Sequence, residues 1–336
     1  GRGGSPPAAP FLPPRRPMDL RLLTDSITNP TLLFFLLGVF AKLVKSDLEV
    51  PANSVKFISL YLLFSIGFNG GRELSHSTID TTILLSVVYG MGVAALIPLY
   101  LFFLLERRLG PQNAGAVAAA YGSVSAVTFV AATSFLEVRG LGFGGHMVAI
   151  MALMESPAIV VGMLLLQRRE PGGSAASLGH VLVHSLTNGS VLMLLGSLGI
   201  GLVAEEHQAA GIAPFTTDIF KGFLAIFLLE MGMVTAGRFA AFRRHGAAAS
   251  LVAVLAPLFN GTLVAWSSGY VTSEVGDRFM FAVLAASASY IAVPAAMRLA
   301  APKADPGLYI PMALGLTFPF NITLGMPIYL SIVQAA

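Results

Sequence analysis

Two short stretches of this chain carry hydroxyl groups at matched spacing inside otherwise apolar sequence. The first is Gly122-Ser123-Val124-Ser125, with Thr128 three residues on; the second is Ser287-Ala288-Ser289. With the serines superposed, Val127 aligns with Ile291 and Ala131-Ala132 with Ala295-Ala296. Serine hydroxyls compete with a helix for its backbone hydrogen bonds, and Gly122 and Pro294 weaken it further. Each stretch therefore reads as a break in a helix. A single one reads first as a close helix-packing face. Paired breaks in corresponding segments instead point to a central binding site in a transporter.

Neither stretch contains a basic residue. An anion held there relies on backbone N–H groups, half-helix N-termini and hydroxyl donors. Each terminus contributes roughly 0.3–2 kcal/mol, which suits a small, singly charged, oxygen-rich anion better than a dicarboxylate needing an arginine clamp. The candidate substrate ligands are Gly122, Ser123, Val124, Ser125, Ser287, Ala288 and Ser289.

Polar groups at membrane depth are costly unless paired or used. Glu155 in Glu155-Ser156-Pro157 stands out, because a carboxylate beside a helix-breaking proline can face a cavity where carbonyls are freed. With neutral oxygens from Asn69, Thr128, Thr317 and Asn321 it forms a candidate set for a monovalent cation or a proton. The competing reading is a protonated or lysine-paired structural glutamate. Glu230 reads equally as a group that only holds a neighbouring helix. No H-E-x-x-H, G-x-S-x-G or Walker A sequence is present, so an enzyme is not expected. His146, His180, His184 and His207 lack metal-ligand spacing.

The elements that must position these groups are apolar. The chain is 55% hydrophobic and 11% charged, with mean hydropathy +0.78. Soluble domains carry roughly a quarter charged residues, so the composition implies an integral membrane protein embedded in a lipid bilayer. Period-2 alternation is missing, which excludes an outer-membrane barrel. The absence of cysteine excludes disulfides and thiolate metal sites. A net charge of +3 does not imply nucleic acid, because the basic residues flank apolar spans.

Residues 1–17 are rich in Pro and Gly and read as a disordered tail, with Met18 as the expected natural start after a tag or upstream translation. Ten spans are expected: 30–45, 53–71, 79–105, 112–136 and 144–167, then 184–204, 215–237, 247–271, 277–299 and 308–333. The first five-helix repeat is 18–167, the linker 168–183, and the second repeat 184–336. The halves echo each other in order. Asn29-Pro30 opens the first span as Asn188-Gly189 opens the sixth. Lys56 and Gly67 repeat as Lys221 and Gly232, and Met151-Ala152-Leu153 repeats as Met312-Ala313-Leu314. An odd number of spans per half makes the repeats inverted. The expected fold is therefore all-α: ten transmembrane helices in two inverted repeats of five, with paired interrupted crossover helices.

Lys and Arg set the orientation. Lys42, Lys45, Lys56, Arg107, Arg108, Arg168, Arg169, Arg238, Arg243, Arg244, Arg298 and Lys303 fall on one side. Arg21, Arg72, Arg139, Lys221 and Arg278 fall on the other. The linker is then cytoplasmic and both termini lie outside the plasma (inner) membrane.

Several of these residues also carry a family resemblance. They are Gly67-Phe68-Asn69-Gly70-Gly71, Gly122 to Ser125 with Thr128, Glu155-Ser156-Pro157, Ala256-Pro257 with Gly261, Ala285 to Ser289, and Pro302 through Tyr309-Ile310. The chain resembles the sodium-dependent bicarbonate permeases known best from cyanobacteria (SbtA-like). The resemblance covers essentially everything after Met18. It implies a core domain moving against a gate domain, a homotrimer, and sodium-coupled bicarbonate import, with sodium as coupling ion and no other cofactor. It also implies that the two serine-bearing crossovers surround the anion. In place of the family's long central cytoplasmic loop, where a PII-like regulatory protein would dock, this chain has only a short linker at 167–180. The alternatives are a proton-coupled permease for another small anion or weak acid, and a non-transporting receptor or scaffold of the same fold.

The family pattern has an aspartate where this chain has Tyr290. A neutral phenol offers sodium only a weak oxygen dipole, so sodium coupling is expected to be weaker. Tyr290→Asp should lower the half-saturating Na⁺ concentration for uptake; no change, with the parent already saturating at low Na⁺, would dismiss the tyrosine as a lost ligand.

Overall fold

The computed structural model describes residues 30–77, 80–170, 187–242 and 246–336, with the single positions 179 and 183. The expected tail 1–17, Met18, and the linker apart from 168–170, 179 and 183 lie outside the described residues, as do His180 and His184. Among the described residues every regular element is helical. In chain order they are α1 (Pro30–Leu43), α2 (Ala52–Ser75), α3 (Thr81–Gly122), α4 (Ala126–Glu137), α5 (His146–Arg169) and α6 (Gly189–Val203). Then follow α7 (Glu206–Ala213), α8 (Phe220–Phe242), α9 (Gly246–Ser267), α10 (Val275–Ala286), α11 (Ala292–Ala300) and α12 (Pro306–Ala335).

Among the described residues, five segments are long and apolar enough to cross a membrane. They are Thr81–Glu137, His146–Arg169, Glu206–Gly237, Ala248–Tyr270 and Pro306–Ala335, while Leu33–Leu43 and Gly189–Val203 are shorter apolar helices. With the composition, these make the chain a membrane protein.

Local chemistry sets the helix ends. Asp80 caps α3 by accepting the Ile83 N–H at 2.9 Å, and this bond holds its exposed carboxyl below the usual carboxylate range. Midway, Gly110 adopts φ 75° and Pro111 follows. The helix therefore stops and restarts there, since glycine tolerates that backbone and proline suits a first helical turn. In α12, prolines interrupt the ladder and π turns form at Ala313–Thr317 and Asn321–Gly325. The Thr235 hydroxyl, from α8, donates to Leu314 O at 2.9 Å.

The closest helix packing sorts the molecule into two groups. In one, α1 lies along α8 and α2 along α6; in the other, α3 lies along α5 and α9 along α10. The first group packs through backbone. A Cβ at Gly67 would press on Leu194 O and Leu198 N of α6; a Cβ at Gly232 would press on Phe35 O and Val39 N of α1. Gly67 and Gly232 are the pair matched by the sequence echo, and each meets a carbonyl and the amide four residues later. Tertiary contact and internal repetition thus share one register.

In the second group, the restart of α3 is lined with small residues. Ala114, Ala116, Ala118, Ala119 and Ala120 are fully buried. Small side chains let this half-helix be surrounded on all sides.

Backbone neighbours cannot rotate away, so overpacking there costs about 1–3 kcal/mol. Gly67→Ala and Gly232→Ala should lower the thermal unfolding midpoint in detergent by several degrees. Gly196→Ala, which meets nothing within 4 Å, should not.

Candidate functional site

The second half of α3 ends at Gly122 and α4 starts at Ala126; α10 ends at Ala286 and α11 starts at Ala292. The chain leaves both helices with the same geometry: Ser123 has φ −82°, ψ 173° and Ser287 has φ −82°, ψ 170°. The two breaks lie against each other. The Ser289 N–H donates to Ala120 O at 2.8 Å. In return the Ser125 N–H donates to Ser287 Oγ at 3.0 Å, and that hydroxyl donates to Leu284 O at 2.8 Å. Leu284 corresponds to Ala120 under the serine alignment. The second bond is therefore the first with a hydroxyl inserted.

The hydroxyl protons separate the serines. A hydroxyl donates once and accepts twice. Ser125 Oγ accepts the Thr128 N–H at 3.2 Å, capping α4, and Ser289 Oγ accepts the Val293 N–H at 3.4 Å. Neither proton has an acceptor among the described residues. Ser123 Oγ is buried with no hydrogen-bond partner among the described residues. Ser287, by contrast, has spent its proton on Leu284 O. Tyr290 Oη lies near the Ser125 side chain without a hydrogen bond of good geometry. Three serine hydroxyls thus keep a donor free where two helix N-termini meet.

Of the other expected substrate contacts, Val124 and Ala288 are buried, and Gly122 abuts Pro98, where a Cβ would clash. Gly122 sits in a packing contact.

The candidate cation set is not gathered in one place. Glu155 lines a cavity of about 30 Å³ with Leu63, Val124, Ala126, Ser190 and Leu194 among its walls, large enough for a water or a bare ion. It makes no hydrogen bond or ion pair among the described residues. Thr128, buried, is tied to the Ser125 cap. Asn69 sits elsewhere, donating to Thr216 O at 3.1 Å and lining a cavity of about 300 Å³ with Thr133, Glu137 and Lys221. Thr317 and Asn321 lie behind the second break. Thr317 donates to Ala253 O at 2.7 Å, so its contact with Tyr121 Oη, also 2.7 Å, is donated by the tyrosine. The fully buried Asn321 donates to Ala286 O at 2.8 Å and receives Tyr329 Oη at 3.1 Å. It caps the freed end of α10.

Three residues lining these cavities lie outside the candidate site set read from the sequence. Ser190 enters the Glu155 cavity from the first turn of α6. Its signal was the Asn188-Gly189-Ser190 start, taken only as a repeat marker. Lys221 pairs with Glu137 at 2.8 Å across the larger cavity, and Thr133 stands beside them; no spacing rule links residues so far apart in sequence.

The description "Na⁺-dependent bicarbonate transporter superfamily" matches residues 30–334, nearly the whole chain and all of the site. The chain belongs to this superfamily. A search of curated proteins finds no match. The superfamily's sodium-dependent bicarbonate transport accords with a chain of apolar helices built around a polar centre, and a transporter family is not a family of enzymes.

The hydroxyl relay has a stability consequence. Ser287→Ala removes the acceptor of the buried Ser125 N–H and should cost about 1–3 kcal/mol. Ser123→Ala removes a hydroxyl with no internal partner and should leave the unfolding midpoint unchanged, as measured by thermal scans of both variants.

Proposed function

We propose that this protein is a secondary active transporter that imports bicarbonate together with sodium, by alternating access of a core bundle against a gate bundle. The observation that carries the reading is the crossing of the two helix breaks. They bring two half-helix N-termini and the unspent protons of Ser123, Ser125 and Ser289 to one buried point. N-terminal N–H groups and hydroxyl donors complement a small oxyanion without a fixed positive charge. Membership of the superfamily supplies the substrate class.

The core consists of α3–α5 and α9–α12; the gate consists of α1, α2 and α6–α8. Ten spans in two inverted repeats underlie this division. It is supported by the exchange of the pairs α1–α8 and α2–α6 under the repeat, and by the matching contacts of Gly67 and Gly232. The Glu155 cavity lies on the boundary, with Glu155, Val124 and Ala126 on the core and Leu63, Ser190 and Leu194 on the gate. A cation beside Glu155 would share that boundary with the anion site. The exposed Lys221–Glu137 pair also bridges gate and core. Such pairs contribute about 0–1 kcal/mol, so it yields readily when the bundles shift. The excess of Lys and Arg supports a cytoplasmic linker with both termini outside.

A second reading, proton coupling, is favoured by two observations. Glu155 has no cationic partner among the described residues, and the chain has Tyr290 where the family pattern has a carboxylate. The choice of coupling ion is made by flux measurements.

In proteoliposomes at mildly alkaline pH, labelled bicarbonate uptake should rise with an inward Na⁺ gradient. Uptake driven by a proton gradient alone would move the assignment to proton coupling, and binding without flux would make the protein a receptor. Ser123→Ala and Ser289→Ala should each raise the half-saturating bicarbonate concentration by roughly 5- to 30-fold, the equivalent of about 1–2 kcal/mol. Glu155→Gln should raise the half-saturating cation concentration and spare folding.

A further inference from the structure

A third cavity, of about 620 Å³, runs between α3 and α9, well away from the crossed breaks. The two helices are joined where the Tyr100 hydroxyl donates to Asn260 Oδ1 at 2.6 Å and where Tyr89 Oη meets Ser267 Oγ at 2.6 Å. Beyond Tyr100 they leave an apolar groove walled by Leu101, Leu104 and Leu105 on one side and Leu251, Leu255 and Phe259 on the other. Its walls open sideways: Leu104 is 62% exposed, Leu251 59% and Phe259 55%. In a membrane protein that exposure faces hydrocarbon.

Arg107 and Arg108 stand at the far end of the groove from Tyr100, where the apolar run of α3 stops. Both are exposed, and neither makes an ion pair or hydrogen bond among the described residues. The neighbouring carboxylates have other partners. Arg169 pairs with Glu106 at 2.7 Å, and Gln112 donates to Glu170 at 2.6 Å. No carboxylate lines the groove.

We propose that this groove is a binding site for an anionic phospholipid, with its phosphate on Arg107 and Arg108 and an acyl chain along the leucine wall. The charge complement is specific. A guanidinium fork takes a phosphate through two parallel bonds, and basic pockets between transmembrane helices hold anionic headgroups. A free phosphate would satisfy the arginines and leave the apolar wall uncovered. A zwitterionic lipid would cover the wall and bring its own cation to the arginines. By tying α3 to α9, the lipid bridges the two halves of the core.

The test is native mass spectrometry of the full chain in neutral detergent, titrated separately with phosphatidylglycerol, phosphatidylcholine and inorganic phosphate. The parent should retain phosphatidylglycerol about tenfold better than phosphatidylcholine, and excess inorganic phosphate should not displace it. The double variant Arg107→Gln, Arg108→Gln should lose the preference, while Arg168→Gln, outside the groove, should keep it. Leu255→Trp fills the groove and leaves both arginines in place. It should also lower phosphatidylglycerol retention, which separates the site from charge attraction alone. Equal retention of the two lipids overturns the proposal. So does displacement by phosphate, unaltered retention in the double variant, or a second copy of the chain bound in place of lipid.

Discussion

Inside a bilayer a backbone polar group has no water to fall back on, and each one left unpaired costs several kcal/mol. Two helices broken at membrane depth therefore have to satisfy their ends with each other. The Ser289 N–H takes Ala120 O, the Ser125 N–H takes Ser287 Oγ, and Asn321 closes Ala286 O. These bonds hold the breaks in register. They also decide which polar groups are consumed by the fold and which remain for a ligand. A break with every group satisfied internally would be a kink; this pair leaves three hydroxyl protons over.

The asymmetry between the bundles follows from how each is packed. The pairs α2–α6 and α1–α8 approach each other at glycines, Gly67 against Leu194 O and the Ser197 hydroxyl, Gly232 against Phe35 O and Val39 N. The other group is held by small buried residues and by polar links such as Tyr121 to Thr317 and Tyr329 to Asn321.

The two repeats are not chemically equal. Glu155 has Leu316 as its counterpart under the alignment of Met151 with Met312, so the carboxylate has no equivalent in the second half. Around the corresponding part of α12 the contacts are neutral: Thr235 donates to Leu314 O, and Phe35 meets Phe318 edge to face.

The sequence by itself determined what depends on near neighbours: the membrane class and the two breaks. Hydropathy is a property of consecutive residues, and serine, glycine and proline act on the hydrogen bonds of their own helix. The family followed from motifs of the same local kind. What only the tertiary structure decided was the partner of each polar group. Asn69, Glu155 and Asn321 read alike as oxygens beside glycine or proline, yet they fall in three separate places. One ties to Thr216, one lines a small cavity and one caps a helix. Ser287 and Ser289 share a motif, and only the approach of Ser125 makes the first structural. A hydrogen bond is chosen by what lies within about 3 Å of a donor, and those neighbours come from distant chain segments, 35 residues apart for Asn321 and Ala286 and 162 for Ser125 and Ser287.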